Sequence, residues 1–290
     1  MTGSRAARPA DGARPSGGSL EVRGLVKDFR LRKGVRFSTL HAVKDVSFTL
    51  AAGRTLALVG ESGSGKSTIA RILAKLETPT SGEVLLDGAP TGFRGSQAGY
   101  RREVQMVFQD PFASLNPFHS IAHHIERPLR IHHPELTSAQ VRDRTVDLLE
   151  RVSLGAGYLE RRPHELSGGQ RQRVAIARAL APGARFIVAD EPVSMLDVSI
   201  RVGVLNLLAD LQRAGGLGVL YITHDLATAR HFSDEIMVML RGEIVESGPA
   251  DEVILDPQHP YTASLREAAA DPERLGRLRD EVRAEMEDAR

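Results

Sequence analysis

Apolar positions in this chain fall into short continuous runs separated by longer stretches of helical spacing. Thr55–Val59, Val104–Phe108, Phe186–Ala189, Val219–Thr223 and Ile236–Leu240 are compact apolar runs, the pattern of strands buried on both faces. Lys66–Leu76 follows the first run with Ile69, Ile72, Leu73 and Leu76 at helical spacing. Gln170–Leu180 and Ile200–Gln212 read as helices in the same way. Near the start, Leu20–Leu25 and Val43–Leu50 read as strands, the second with Val46, Phe48 and Leu50 alternating. Arg30–Thr39 between them is polar and basic and reads as a loop or hairpin. Glu83–Leu86 with Asp87-Gly88 reads as strand and turn. Strand and helix alternate, which predicts an α/β fold with a largely parallel sheet. The stretch 110–165 interrupts the alternation as a helical insert, with Thr137–Val152 its clearest amphipathic piece. No internal repeat is present.

Residues 1–18 are rich in Gly, Pro, Ser, Ala and Arg and carry no periodic apolar face, which predicts a disordered tail. A Pro-marked segment after Gly248 leads to a charged terminal stretch, read as a helix over 272–289. The 290 residues suffice for a sizeable core, and 41% hydrophobic with 26% charged residues is ordinary for a globular chain. The formal net charge is +1; Arg5, Arg8 and Arg14 against Asp11 place +2 in the tail and leave −1 for the rest. A near-neutral body offers no electrostatic footprint for nucleic acid. The absence of cysteine excludes disulfides, thiolate zinc sites and cysteine-held iron–sulfur clusters. No apolar run reaches the roughly 18 residues that a membrane-spanning helix needs, and the N-terminus lacks the apolar core of a secretory signal.

The chemistry concentrates at the ends of the apolar runs. Gly60-Glu61-Ser62-Gly63-Ser64-Gly65-Lys66-Ser67 follows a strand and opens a helix, the context of a phosphate-binding loop. Its glycines let backbone N–H groups converge on phosphate oxygens, and the helix turns its positive end towards them. Lys66 is placed to reach the β- and γ-phosphates, Ser67 to bind Mg²⁺, and Thr68 to contact the α-phosphate region. Phe186–Ala189 ends in Asp190 and Glu191. The first suits Mg²⁺ through water, and the second suits polarising an attacking water as general base.

Leu166-Ser167-Gly168-Gly169-Gln170 lies about a hundred residues after the loop. Together these elements resemble the ATP-binding-cassette ATPases over roughly 20–265. The resemblance implies a P-loop NTPase (RecA-like) core with a mainly parallel sheet. An antiparallel β subdomain would precede it and a helical insert subdomain would interrupt it. The domains would be a nucleotide-binding domain at 19–265 and a charged helical extension at 266–290. It also implies ATP and Mg²⁺ as cofactors. Gln109 would touch Mg²⁺ and the attacking water, and His224 the γ-phosphate. Ser167, Gly168, Gly169 and Gln170 would engage nucleotide held by the opposite subunit, although a serine N-cap explains Ser167 equally. Asp197 matches the loop that crosses the dimer interface, where Met195 replaces the commoner alanine. Phe29 fits the aromatic that stacks on adenine, with Phe37 as runner-up.

Three further strings are more specific. Gln109-Asp110-Pro111-Phe112-Ala113-Ser114-Leu115-Asn116-Pro117, the stretch Asp190–Arg201, and His259-Pro260-Tyr261-Thr262 resemble ATPase subunits of oligopeptide and dipeptide importers, of the cysteine-free partner type. That implies a peripheral protein on the cytoplasmic face of the cell membrane. It would pair with a second cassette subunit, identical or different. Two transmembrane permeases and, indirectly, an extracytoplasmic solute-binding protein would complete the system; nucleic acid is not an implied partner. Peptide, nickel chelate and oligosaccharide all remain open as solute. A non-transport cassette of DNA repair or translation is the alternative. Repair types insert long coiled coils and translation types usually carry two cassettes, and neither feature is present. A P-loop kinase or GTPase would lack the Leu166–Gln170 element.

Overall fold

Two strands, β1 (Ser19–Lys33) and β2 (Arg36–Ala51), open the chain as one long antiparallel hairpin. The computed structural model describes residues 18–33 and 36–270, so the tail 1–18 (Gly18 apart) and the helix expected at 272–289 lie outside the described residues. Within Arg30–Thr39, open between loop and hairpin from sequence, the described residues 30–33 and 36–39 belong to the ladder: Phe29 pairs with Leu40 and Lys33 with Arg36. Its described side chains are mostly exposed, so no apolar alternation marks it as strand.

β3 (Thr55–Val59) leads through the glycine-rich loop into α1 (Lys66–Leu73). The helix stops before the predicted Leu76. Lys75 adopts φ 55, its ammonium donates to Thr91 O and Oγ1 at 3.0 and 2.8 Å, and it lies 3.5 Å from the Phe93 ring centre. Leu76, at the next helical apolar position, is left exposed. β4 (Ser81–Leu86) and β5 (Ala89–Pro90) complete a four-stranded antiparallel sheet in the order β2-β1-β4-β5.

α2 (Ala98–Glu103) precedes β6 (Val104–Val107), and the helical insert follows with α3 (Pro111–Ser114), α4 (Ile121–His132) and α5 (Ser138–Arg151). Thr137 and Gln140 form a capping box that starts α5. α6 (Gly168–Leu180) returns the chain to the core. It packs on α3, α4 and α5 of the insert and on β6, so it ties insert to sheet. The remaining elements are β7 (Phe186–Asp190), α7 (Val198–Gly215), β8 (Gly218–Thr223), α8 (Leu226–Phe232), β9 (Glu235–Leu240), β10 (Glu243–Pro249), α9 (Ala250–Leu255) and α10 (Pro260–Ala270).

The second sheet has the order β10-β9-β3-β8-β7-β6, parallel except for the edge strand β10. Its central strands β3, β7 and β8 are buried at every position because both faces are covered. Ala57, Val59, Ile187, Ala189 and Tyr221 face the helical side, in a core shared with α6, α7 and the insert. Leu56, Leu58, Phe186, Val188 and Ile222 face the antiparallel sheet and α1. Ile69, Ile72 and Leu73 of α1 are wholly buried between the two sheets, each contributing about 2 kcal/mol by leaving water. This sandwich fixes the start of α1, and with it the loop in front.

Candidate functional site

The loop Gly60–Ser67, the carboxylates Asp190 and Glu191, Gln109 and His224 all emerge from C-terminal ends of parallel strands. These are β3, β7, β6 and β8, which are neighbours in the sheet, so chain segments far apart in sequence meet at one edge. Two of the loop's glycines are steric requirements. Gly65 has φ 112, and a Cβ on it would lie 2.2 Å from Ala42 O; a Cβ on Gly60 would lie 2.2 Å from Met239 O. The loop is thus pressed against β2 and β9, where a side chain would force it out. Gly65 caps α1 without a side-chain acceptor, the arrangement of a helix start able to accept an anion.

Lys66 is buried, and its Nζ donates to Gly60 O at 2.6 Å and Glu61 O at 2.8 Å. Burial pushes its pKa down to about 8, against the upward pull of Glu191, Asp190 and Glu61. Ser67 Oγ donates to Asp190 Oδ1 at 3.2 Å. Burial raises the Asp190 pKa, the Ser67 hydrogen bond opposes that rise, and the charge of Glu191 adds to it. Glu191, one residue on, moves the other way: its hydrogen bond from His224 holds it below the usual carboxylate range. Adjacent carboxyls pushed apart in this manner suit different tasks.

Glu191 is where three sequence-predicted groups meet. Its Oε2 accepts from Gln109 Nε2 at 3.0 Å, and its Oε1 lies 3.3 Å from His224 Nδ1. Its backbone has φ 46, and its N–H donates to Ile222 O at 2.9 Å. A cavity of about 530 Å³ opens over this group, lined among others by Phe29, Lys66, Ser67, Thr68, Gln109 and Glu191. Ser62 and Gly63 also line it, whereas Gly60, Glu61 and Ser64 lie behind it. Lys27 Nζ sits 4.7 Å from the Phe29 ring centre. The Phe37 side chain lies outside the described residues. Asp190 lines an adjoining cavity of about 890 Å³ on the insert side, and Gln109 borders both.

The donor set fits Mg²⁺. A serine hydroxyl beside a buried carboxylate of raised pKa supplies hard oxygen ligands. Among the described residues no group of three or more His, Cys, Asp or Glu makes a metal site alone. Mg²⁺ characteristically takes one or two protein oxygens and completes its shell with phosphate and water.

Ser167, Gly168, Gly169, Gln170 and Asp197 line neither cavity. Ser167 and Gln170 form a reciprocal capping box at the start of α6: Ser167 Oγ accepts from Gln170 N at 3.3 Å, and Gln170 Oε1 accepts from Ser167 N at 2.9 Å. The helix therefore begins at Gly168, earlier than the apolar spacing alone predicts. Both glycines admit close packing: a Cβ on Gly168 would lie 3.1 Å from Leu196, and one on Gly169 2.4 Å from Ile200. Leu196 and Ile200 flank Asp197, which is exposed, as is Met195. Arg201 holds this turn by donating to Leu196 O at 2.7 Å and Ser194 O at 3.4 Å. The structure thus gathers the predicted residues into two groups, one around Glu191 and one at the start of α6.

Two contacts to the loop carry no sequence signal. Gly242, in the β9–β10 turn, donates to Ser64 O at 2.9 Å. Tyr261 OH accepts from Glu61 N at 3.3 Å. His259–Thr262 stands out in the sequence as a string, but spacing does not show that it reaches the loop.

A family profile described as ABC transporter matches residues 43–194. The chain is 47% identical over 257 residues to the oligopeptide transport ATP-binding protein OppF of Bacillus subtilis, covering 88% of this chain and 83% of the relative. It is 45% identical to the dipeptide transport ATP-binding protein DppF of Haemophilus influenzae, covering 86% and 77%. It is 48% identical to the glutathione import ATP-binding protein GsiA of Salmonella typhimurium, covering 88% of this chain but spanning only 42% of that protein's length. Among solved structures, the ATP-binding cassette MJ0796, a dimer in a post-hydrolysis state bound to ADP and Pi, superposes with TM-score 0.71 at 30% identity, covering 80% of this chain and 98% of that one. cbiO1 from Clostridium perfringens, part of the transporter complex cbiONQ, superposes with TM-score 0.71 at 26% identity, covering 90% and 98%.

Proposed function

We propose that this chain, which belongs to the ABC transporter family, is the ATP-hydrolysing subunit of an importer for peptides or a related small solute. The convergence of Gln109 and His224 on Glu191, in a cavity that Lys66 also lines, carries the reading. Peptides are the favoured solute class because the relatives' names specify oligopeptide, dipeptide and glutathione.

Lys66 and the loop N–H groups bind the β- and γ-phosphates, and Phe29 stacks on the adenine while Lys27 rests on its ring. Ser67 and Asp190 would hold Mg²⁺, which when bound would supply positive charge beside the phosphate oxygens. Glu191, ionised and oriented from both sides, takes the proton of the attacking water. Gln109 places that water, and His224 reads the γ-phosphate. Catalysis is then mostly positioning and charge neutralisation. The group at the start of α6, with Asp197, lies outside both cavities, as a surface that closes over nucleotide on a second cassette would. Such a cassette works beneath membrane permeases at the cytoplasmic face. The 890 Å³ cavity between insert and sheet, bordered by Phe108, Ile131, Arg127 and Arg178, is the seat for a permease helix. Gln109 borders both cavities and links the two events.

Capture from native membranes tests the reading. The full chain carrying Glu191→Gln, loaded with ATP and Mg²⁺, is expected to recover multi-span permeases and a second cassette. Recovery of ribosomal, DNA-bound or only soluble proteins would contradict transport and leave the ATPase chemistry standing.

The lowered Lys66 pKa predicts a pH dependence. Phosphate charge beside Lys66 pulls its pKa up again, so above pH 8 ATP binding takes up a proton. ATP affinity is therefore constant below about pH 8 and falls above it, by at most about tenfold per pH unit. Calorimetry in buffers of different ionisation enthalpy measures the uptake; affinity that stays flat to pH 9.5 would remove Lys66 from the phosphate contact.

A further inference from the structure

We infer that Tyr261 is a positioning residue for the phosphate-binding loop, and that α10 thereby sets the ATP affinity of the cassette. The inference rests on the nucleotide reading of the loop given above. It concerns residues beyond the span 43–194 that the family profile matches.

The contact joins residues 200 positions apart. Glu61 directly follows Gly60, and its N–H is turned away from the cavity towards the buried Tyr261 hydroxyl, 3.3 Å away. The loop is held from behind at several points. Gly60 rests against Met239 O and Gly65 against Ala42 O, Ser64 O accepts from Gly242 N, and Glu61 N donates to Tyr261. The last contact is made by a side chain from outside the loop, so a single oxygen atom can be removed without touching the backbone.

Tyr261 is itself firmly placed. Pro260 opens α10, and His259 Nδ1 accepts from Tyr261 N at 3.1 Å. The Glu246 carboxylate on β10 accepts from Gln258 N at 2.7 Å and His259 N at 3.1 Å. Further along the helix, Leu265 and Ala268 are buried. Burial raises the phenol pKa, which keeps the hydroxyl neutral. β10 therefore grips the loop twice: the turn before it reaches Ser64, and Glu246 in its middle fixes the segment that reaches Glu61.

A loop whose N–H groups converge before nucleotide arrives binds it more tightly than one that must be ordered on binding. If a fraction of molecules has the loop out of place, apparent affinity drops by that fraction. Removing the hydroxyl acts on this fraction and leaves Lys66, Gln109 and Glu191 in place. ATP affinity is therefore expected to weaken by about fivefold, the factor that one neutral hydrogen bond is worth. Turnover at saturating ATP should stay within about twofold, because the groups that act on the transition state are unchanged.

The test compares Tyr261→Phe with Thr262→Val in the full chain. Thr262 is the next residue, fully buried, and its Oγ1 has no hydrogen-bond partner among the described residues. Equilibrium binding of ATP with Mg²⁺, KM and kcat for hydrolysis, and melting without nucleotide are measured for each. The inference expects Tyr261→Phe to raise Kd and KM for ATP with little change in kcat, and Thr262→Val to leave Kd unchanged. A purely structural role would lower the melting temperature of Tyr261→Phe and leave Kd and KM where they were, which overturns the inference. An equal rise in Kd for Thr262→Val would overturn it too, as a general packing effect. Lys66→Met separates this from failure of the site itself. If Lys66→Met weakens ATP binding and Tyr261→Phe does not, only the inference falls. If neither does, the nucleotide site falls with it.

Discussion

Glu191→Gln lowers ATP turnover at this chain's site by roughly 10²–10⁴, the usual scale for losing a general base, and leaves ATP binding intact. The amide is nearly isosteric and keeps an acceptor oxygen for His224, while Gln109 must turn its own amide oxygen towards the new N–H; with that turn the end of β7 should hold its shape. It loses the negative charge that a water proton would move to. Lys66 also loses one of the three carboxylates that favour its charged form, which moves its pKa further down. Binding measurements on this variant therefore belong below pH 8. Phosphate release by the full chain and its partner cassette measures the effect, and turnover unchanged from wild type would remove Glu191 from the chemistry.

Lys66→Met separates function from stability. Turnover is expected to fall by on the order of 10³, the scale for losing a fixed charge at a developing negative centre. ATP affinity should fall by at least about tenfold, as expected for a charge-assisted contact. The free chain should nevertheless hold its melting temperature or gain a few degrees. Folding takes the Lys66 pKa from 10.5 to about 8, so between these values the unfolded chain binds more protons. The resulting cost of about 3 kcal/mol is full below pH 8 and declines as pH rises towards 10.5. Methionine avoids it, while Gly60 O and Glu61 O lose a donor at about 1 kcal/mol each. The net gain is small and positive near neutral pH and shrinks as pH rises above 8. Thermal melting at pH 7 checks it; a variant that melts far below wild type would show that Lys66 braces the loop rather than straining it.

The legible parts of the fold are those where a buried apolar run ends in a polar motif. β3, β7 and β8 are buried along their whole length, so their periodicity survives in sequence, and the loop, the carboxylate pair and His224 each follow one of them. Where the chain runs over the surface, pattern fails. The described residues of Arg30–Thr39 form a ladder held by backbone hydrogen bonds with mostly exposed side chains, which leaves no apolar alternation to read. The end of α1 was hidden for a different reason. Leu76 continues the helical spacing, but the anchoring of Lys75 by Thr91 and Phe93 turns the backbone before it.

Contacts between distant segments carry no local signature. Motif position placed Gln109, Glu191 and His224 together, whereas Tyr261 could be seen only as part of a string. The glycines of Leu166–Gln170 read in sequence as room for backbone to approach a phosphate. The fold adds a second demand on them, since Leu196 and Ile200 pack where their Cβ atoms would stand. Ser167 likewise serves α6 as its N-cap whatever else it contacts.

The central claim is that ATP joins two cassettes, one supplying the loop and the other the Ser167–Gln170 surface. Light scattering of the Glu191→Gln chain, alone and mixed with the cassette captured alongside it, tests this most directly. The account predicts a change from single-chain to paired mass on adding ATP and Mg²⁺ in at least one of the two samples, and its loss when Lys66→Met is introduced. Single-chain mass in both samples at saturating ATP would contradict it.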